Sequence, residues 1–498
     1  MLVSDDDSSE ARMTLPFSAP RPVEYAPVPR PVRTRRAAGR DLPPGPRSFP
    51  GGLTARFLRD TPAFVLDLHR RYGDVSSFWL NGQLFYAFFS PEGVVDVTVK
   101  KQHSFIKGVG FERMAKVLGT GLLTSEEPIH LRHRRMMQPP FHHHQLAEYA
   151  AMMQRITRTH LEGWNEGDEV DANHEFMRLT FQIVAQLLFG TDIDRYAEGV
   201  QHHMGVAIDR IERTMLPGLD RFDRSRIPYF AAFRESADYL ATVADDIIAR
   251  RVADSAAGAP LGDDLLGLLL AARDADDGSA LSHDEVRDET LTLILSGHET
   301  TANVLTWAVC YLRDRDDLWA ALADEAAEYL PEGELPDLRR ILSAPTAHAI
   351  MNEAMRLAPP VWVAPRRALE KVEVDGVTVP RGADVLLSQY VSHRNERFFE
   401  HPDAFMPERW TPEFEAGLPR GAYFPFGAGT RKCLGDQFAL LESHIILMEL
   451  ARMRRPRPIA ATLPKAEPRA TYRPAGGVRS VVVSAVAVSG APRADASA

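Results

Sequence analysis

The chain has 498 residues, 45% of them apolar, and a formal net charge of −10, enough apolar material to bury a large core in one domain or two. Its two cysteines, Cys310 and Cys433, exclude a disulfide framework and any all-cysteine zinc or cluster site. Basic residues interleaved among a larger number of acids speak against nucleic-acid binding. The opening MLVSDDDSSE lacks the basic and apolar regions of a secretion signal, and runs such as VRSVVVSAVAV are too short to span a bilayer. A soluble, cytoplasmic monomer with a small-molecule or protein partner is the expectation.

Residues 1–44, rich in Pro, Arg, Ser and Asp, read as a flexible N-terminal extension, solvated or touching a membrane surface or an acidic partner. LPPGPRSFPG then forms a stiff lead into the folded body. Alternation in VSSFWLNGQLFYAFFS around Asn-Gly predicts a β-hairpin near 75–90. Apolar spacing predicts helices over 145–165, 173–190, 232–254, 284–313 and 345–357. Short strands are expected near 372–391 and 478–488, and residues 486–498 read as a disordered tail. Without an internal repeat or linker across 45–485, the fold class is mainly α with small β-sheets, one large helix-rich domain.

The most informative stretch is FPFGAGTRKCLGDQFALLESHIILMEL, where Phe426, Gly427, Gly429, Arg431, Cys433 and Gly435 lead into an amphipathic helix. A cysteine beside unpaired helix N-terminal amides, with Arg431 and Lys432 adjacent, is expected to favour the thiolate. That suits an iron ligand; a nucleophile or a plain buried cysteine is the alternative. The spacing Phe-x-x-Gly-x-Arg-x-Cys-x-Gly is filled at every fixed position, a coincidence expected in roughly one chain in ten thousand. In this the chain resembles the cytochrome P450 family, over roughly residues 45–485. The resemblance implies the cytochrome P450 fold and a bound haem b, with Cys433 as axial iron ligand, Phe426 packed on the ligand side, Gly435 in the same loop, and Arg431 on a propionate. A thiolate ligand favours O–O cleavage over reversible oxygen storage.

Between 284 and 313, a long apolar helix carries Ser296, Gly297, His298, Glu299, Thr300 and Thr301 at its centre. Mid-helix Gly and hydroxyl residues cost stability, and a Thr300 hydroxyl bonded to the Ser296 carbonyl would bend the helix. Read alone, SGHETT is as well explained by a polar patch facing another helix. Beside the cysteine motif it resembles the family segment whose acid and following Thr deliver protons during dioxygen activation, which gives Glu299 and Thr300 the catalytic positions. Ser296 departs from the family's Ala or Gly. His298 is expected on the helix surface.

Glu353 and Arg356, three apart in MNEAMRL, can pair on a helix; in the family such a pair is completed by an Arg from a Pro-Glu-Arg segment, here Arg409, in a structural role. EEPIHLRHRRMMQPPF resembles the segment whose His and Arg contact propionates, which implies His130 and Arg134. Arg366, rather than Arg367, fits the further propionate position. His133 and the run His142, His143 and His144 read as the polar face of a helix and not as a metal site.

The family analogy lines the substrate pocket with the loop SFIKGVGFERMAKVLGTGLLT, residues 205–232, the central helix and residues 360–364. Phe111, Leu295, Val361 and Val363 are apolar there, which predicts a greasy substrate. RLAPPVWVAPRRAL looks most like bacterial terpene oxygenases, with polyketide, macrolactam and fatty-acid substrates as alternatives, and hydroxylation or epoxidation by O2 is the expected outcome. The chain carries no flavin or nicotinamide fingerprint, so electrons are expected to pass from NAD(P)H through a separate ferredoxin reductase and ferredoxin. Arg132, Arg135, Lys432, Arg452 and Arg454 suggest a basic docking face. The competing functions are a haem-thiolate isomerase or peroxide-using oxygenase, which often lack the acid and alcohol pair, and a non-catalytic haem sensor, which would carry a signalling domain.

Overall fold

The computed structural model describes residues 29–33, 41–47, 52–80, 82–108, 110–190, 194–213, 228–331 and 336–485. The expected tail at 486–498, most of the 1–44 extension and residues 214–227 of the expected pocket region lie outside them. In chain order the longer elements are α1 (Gly52–Arg59), α2 (Thr61–Tyr72), β1 (Val75–Leu80), β2 (Gln83–Phe88), β3 (Phe105–Lys107), α3 (Phe111–Leu118), α4 (Ile129–Met137), α5 (His143–Glu162) and β4 (Glu169–Asp171). Then come α6 (Ala172–Phe189), α7 (Asp194–Arg213), α8 (Pro228–Ala256), α9 (Leu265–Ala271), α10 (His283–Tyr311), α11 (Asp316–Tyr329) and α12 (Pro345–Leu357). The last part holds β5 (Ala364–Ala368), β6 (Val372–Val374), β7 (Val377–Val379), β8 (Asp384–Leu387), α13 (Asp436–Arg452), β9 (Arg454–Pro458), β10 (Ala466–Pro468), β11 (Tyr472–Pro474) and β12 (Arg479–Ser484).

β1 and β2 form the expected hairpin, and β2 runs parallel to β8 in a five-stranded sheet of order β1-β2-β8-β5-β3. A three-stranded sheet, β4-β12-β9, and the hairpins β6-β7 and β10-β11 complete the β structure. A large helical core gathers α5, α6, α8 to α13 and their connections, and two smaller cores lie on the faces of the five-stranded sheet. The predicted helices all form, with shifts of a few residues at their ends.

Three features depart from expectation. α13 is buried from Phe438 to Ala451 nearly all round, including Glu442, Ser443, His444 and Glu449, because helices pack on it from several sides; it is a core helix and not an amphipathic one. Gly297 has a packing reason: a Cβ there would stand 2.9 Å from a Val184 methyl, so the glycine lets α6 and α10 approach. The third concerns the segment read as flexible. Val32, 5% exposed, joins the sheet region by donating to the Gly382 carbonyl and accepting from Leu84 N, and Ser77 N donates to the Pro44 carbonyl. Extended proline-rich backbone carries unpaired carbonyls, and a sheet edge with free donors is a ready partner.

α10 starts with a capping box, Ser282 and Glu285 each bonding the other's backbone amide, and runs 29 residues through the centre. α12 ends at the buried pair of Glu353 and Arg356, bonded in two places at 2.8 and 2.9 Å. Glu353 also accepts from Arg409 Nε at 3.3 Å, Trp410 Nε1 at 2.8 Å and Met406 N at 2.8 Å. Arg356 donates to the carbonyls of His393, Pro402 and Ala404. Burial and the neighbouring Arg356 and Arg394 hold the His393 imidazole neutral, so its Nε2 accepts from Phe424 N at 3.0 Å. The pair therefore pins residues 393–410, and His393 in turn positions the lead into the Phe426–Cys433 loop through Phe424. Replacing Glu353 by Ala leaves two guanidiniums and an indole without their acceptor. Denaturant unfolding is expected to show a loss of about 3–5 kcal/mol; a change below 1 kcal/mol would refute this anchoring role.

Candidate active site

The loop before α13 closes on itself through Cys433 N donating to the Phe426 carbonyl at 2.9 Å. Gly429, with φ of +73°, lies so close to the Thr98 carbonyl that a Cβ would overlap it. Gly435 has an ordinary backbone conformation and lies beside Phe141, while Phe426 packs half-buried against the helical core. Protein surrounds Cys433, yet its side chain keeps accessible surface, so the sulfur faces an interior space. Burial pushes the Cys433 thiol up to about 11, outweighing the Gly435 amide, Arg134 and Lys432, which favour the thiolate. Coordination to a metal ion deprotonates a thiol outright.

Above the loop, β3 and β5 pair antiparallel with Lys107 directly opposite Arg366, an arrangement of like charges that costs stability unless an anion offsets it. Arg431 lies close to both. Burial, with Arg431 and Arg366 near, holds the Lys107 ammonium well below its usual value. Burial and Arg431 bring the Arg366 guanidinium down to about 10. Among the described residues Arg366 has only the Pro365 carbonyl as acceptor, and Lys107 donates to the carbonyls of Leu122 and Ser125. Arg431 pairs with Glu126 and donates to the Ser125 carbonyl. Burial lowers the His130 imidazole against the raising effect of its bond to Glu127, and the nearby Arg431 and Lys107 lower it further. One turn on, Arg134 donates to the Lys432 carbonyl at 2.7 Å, beside the cysteine. Arg367, in contrast, is buried and paired with Asp384 at 2.9 Å.

A planar group with two carboxylates and a metal fits this set: the cations meet the carboxylates and the Cys433 sulfur meets the metal. Lys107 was not foreseen. A lone lysine inside the apolar SFIKGVG was its signal.

On α10, Leu295 is 8% exposed, whereas Ser296 is exposed and Gly297 and Thr300 are partly so, in the middle of an otherwise buried helix. Thr300 Oγ1 donates to the Ser296 carbonyl at 3.0 Å, and Ser296 Oγ to that of Thr292 at 2.7 Å. Glu299 turns away from this strip and is buried, accepting from Thr471 Oγ1 at 2.5 Å. His298 is buried too, contrary to expectation; its Nδ1 bonds the Ile294 carbonyl and its ring meets Phe181 edge-on, because α6 covers that face of α10. Glu442 of α13 was missed by sequence reasoning. Burial raises its carboxyl well above the usual range, against the lowering effect of a bond with Thr301. Phe111 opens α3 with its ring near Lys107 Nζ. Val361 is 41% exposed and Val363 half-buried, at the lead into β5.

α4 is tied to α10 by a second polar network. His133, fully buried, bonds Glu289 at 2.6 Å and Glu285 at 3.2 Å, and Arg132 bonds Asp274 and Glu285 at 2.8 Å each. His133 is therefore not on a polar helix face, and Arg132 is not on a docking face. Arg452 is held by Glu449 and Arg454 by the Trp164 carbonyl, so of the expected basic face Arg135 and Lys432 remain exposed, each with an acidic partner. His142 and His144 are exposed, and among the described residues no three His, Cys, Asp or Glu side chains are grouped to hold a metal ion. No helix there is long and apolar enough to cross a membrane.

The cytochrome P450 family model matches residues 43–453. The chain is a cytochrome P450. A 22%-identical solved structure, the haem domain of cytochrome P450DA, superposes with a TM-score of 0.78 over 89% of this chain and 97% of that one, which bears out the fold. Cyclooctatin synthase of Streptomyces melanosporofaciens is 34% identical over 87% of this cytochrome P450 and 94% of its own length. From the same organism, cyclooctat-9-en-7-ol 5-monooxygenase is 32% identical over 82% and 86%. Pentalenene oxygenase of Streptomyces avermitilis is 29% identical over 76% and 82%. This P450 is a haem-thiolate monooxygenase.

The His133 network carries a pH dependence. Burial opposes the imidazolium, but the bonds to Glu285 and Glu289 outweigh it and raise His133 to about 9. Burial likewise opposes the Glu285 carboxylate, and His133, the Ser282 amide and Arg132 outweigh it, bringing Glu285 down to about 2. The histidine contribution is complete below its unfolded value, about 6.5, and is lost as pH rises through about 9. Glu285 contributes above the ordinary carboxylate range and loses its share only as pH falls toward 2. The melting temperature is expected to fall as pH is raised from about 6.5 to about 9, and His133→Asn is expected to abolish that slope. An unchanged slope in the variant would rule the network out.

Proposed function

We propose that this cytochrome P450 inserts one atom of dioxygen into an apolar cyclic terpene, by hydroxylation or epoxidation, with electrons drawn from NAD(P)H by a separate reductase and ferredoxin. The observation that carries the substrate class is the pair of relatives, matched over three quarters or more of this chain, that are named as oxygenases of a cyclic alkenol and of pentalenene. Apolar side chains at Phe111, Leu295, Val361 and Val363 support it.

Haem b, held by Cys433, supplies the oxygen-activating chemistry. Arg366, Arg431, His130, Arg134 and Lys107 hold the propionates, and Phe426 and Gly435 shape the sulfur side. Thr300, anchored on the Ser296 carbonyl, presents its hydroxyl to the interior strip of α10. Glu299 beside it is the acid that resupplies the proton. These two residues set the reading apart from isomerase or peroxide-using chemistry. Arg135 and Lys432 are the exposed cations at which an acidic ferredoxin can dock.

Incubation with a ferredoxin, its reductase, NADPH, labelled dioxygen and a cyclic terpene is expected to yield a product bearing one labelled oxygen. Product formed without reductant, or free of label, would overturn the monooxygenase reading for this chain. Cys433→Ser is expected to abolish the absorption band of sulfur-ligated haem under carbon monoxide after reduction. A band retained in that variant removes Cys433 from the iron.

A further inference from the structure

We infer that Thr471, in the turn between β10 and β11, is the positioning residue that decides which oxygen of Glu299 carries the transferred proton. This rests on the reading of Glu299 as the proton-supplying acid. The argument is a count of donors along one chain of buried side chains. Thr306 donates its hydroxyl hydrogen to the Ala302 carbonyl at 2.7 Å, so toward Asn173 it offers a lone pair. Asn173 Nδ2 donates to it at 3.1 Å and to Asn303 Oδ1 at 3.2 Å. That fixes both amides, and Asn303 turns its Nδ2 to Thr471 Oγ1 at 3.1 Å. With that lone pair occupied, the one hydrogen of the Thr471 hydroxyl goes to Glu299 Oε1 at 2.5 Å. Asn303 and Thr471 thus donate in turn toward Glu299, so Oε1 is held as an acceptor and Oε2 is the oxygen left free to carry the proton in transfer.

The turn bearing Thr471 is itself held from several elements. Trp362 Nε1 donates to the Arg469 carbonyl at 2.9 Å, Trp307 Nε1 to that of Tyr472 at 3.1 Å, and Tyr472 N to that of Pro360 at 2.9 Å. Arg469 pairs with Asp209 of α7 at 2.6 Å. A hydroxyl so fixed, 8% exposed, gives the carboxylate one orientation instead of several, which is the geometric condition for efficient proton transfer. Asn side chains carry no labile proton at neutral pH, so the chain orients and does not conduct.

The test compares Thr471→Val and Thr471→Ser in the haem-loaded enzyme. In the resting state, the infrared carboxylate band that disappears in Glu299→Gln is expected to shift in T471V and to stay in place in T471S. In turnover, T471V is expected to lose roughly tenfold in product per NADPH with the difference appearing as hydrogen peroxide, while T471S retains coupling and both keep the wild-type spectrum and substrate affinity. Asn303→Leu, which removes the donor that turns the hydroxyl, covers the case in which T471V does not fold, and is expected to shift the band in the same direction. An unmoved band in T471V or N303L, or T471S behaving as T471V, overturns the inference while Glu299 stays the acid. Coupling left intact in Glu299→Gln overturns both.

Discussion

Lys107, Arg366 and Arg431 are brought together in one partly desolvated place by strand register and by the loop before α13, and this concentration of positive charge constrains the rest of the structure. Three cations held so close cost stability unless anions offset them. Glu126 and Glu127 offset part, through Arg431 and His130. The remainder is a demand for negative charge that a haem with two propionates meets. Cofactor binding then contributes to folding stability by mass action, as any ligand of the native state does.

The cysteine is held by a different kind of force. Its loop is short, but its position is set through a relay of buried bonds from Glu353 and Arg356 to residues 393–410, to His393, and to Phe424. Each bond in this relay uses a polar group that would be costly to leave unpaired. Distortion anywhere along this relay would therefore be felt in the loop that carries the sulfur.

Much of this was legible in the sequence where local rules and tertiary packing agree. The hairpin of β1 and β2, the capped α10, and the Phe426–Gly435 loop carry their signals in consecutive residues. What was not legible depends on neighbours far away in the chain. His298 and His133 read as surface histidines because nothing local reveals that α6 covers one and that Glu285 and Glu289 enclose the other. Arg132 and Arg452 read as a docking face because sequence counts charges without showing their partners. Gly297 looked functional and has a packing reason in Val184.

The family match begins at residue 43, and Val32 lies before it. Its side chain fills a hollow over the sheet while its backbone clasps Leu84 and Gly382. A domain boundary drawn from similarity alone would cut this clasp away. It would uncover an apolar seam and an unpaired amide along β2, the kind of surface through which folded proteins adhere to one another. Residues 29–33 are in that respect a cover for the domain rather than an appendage to it.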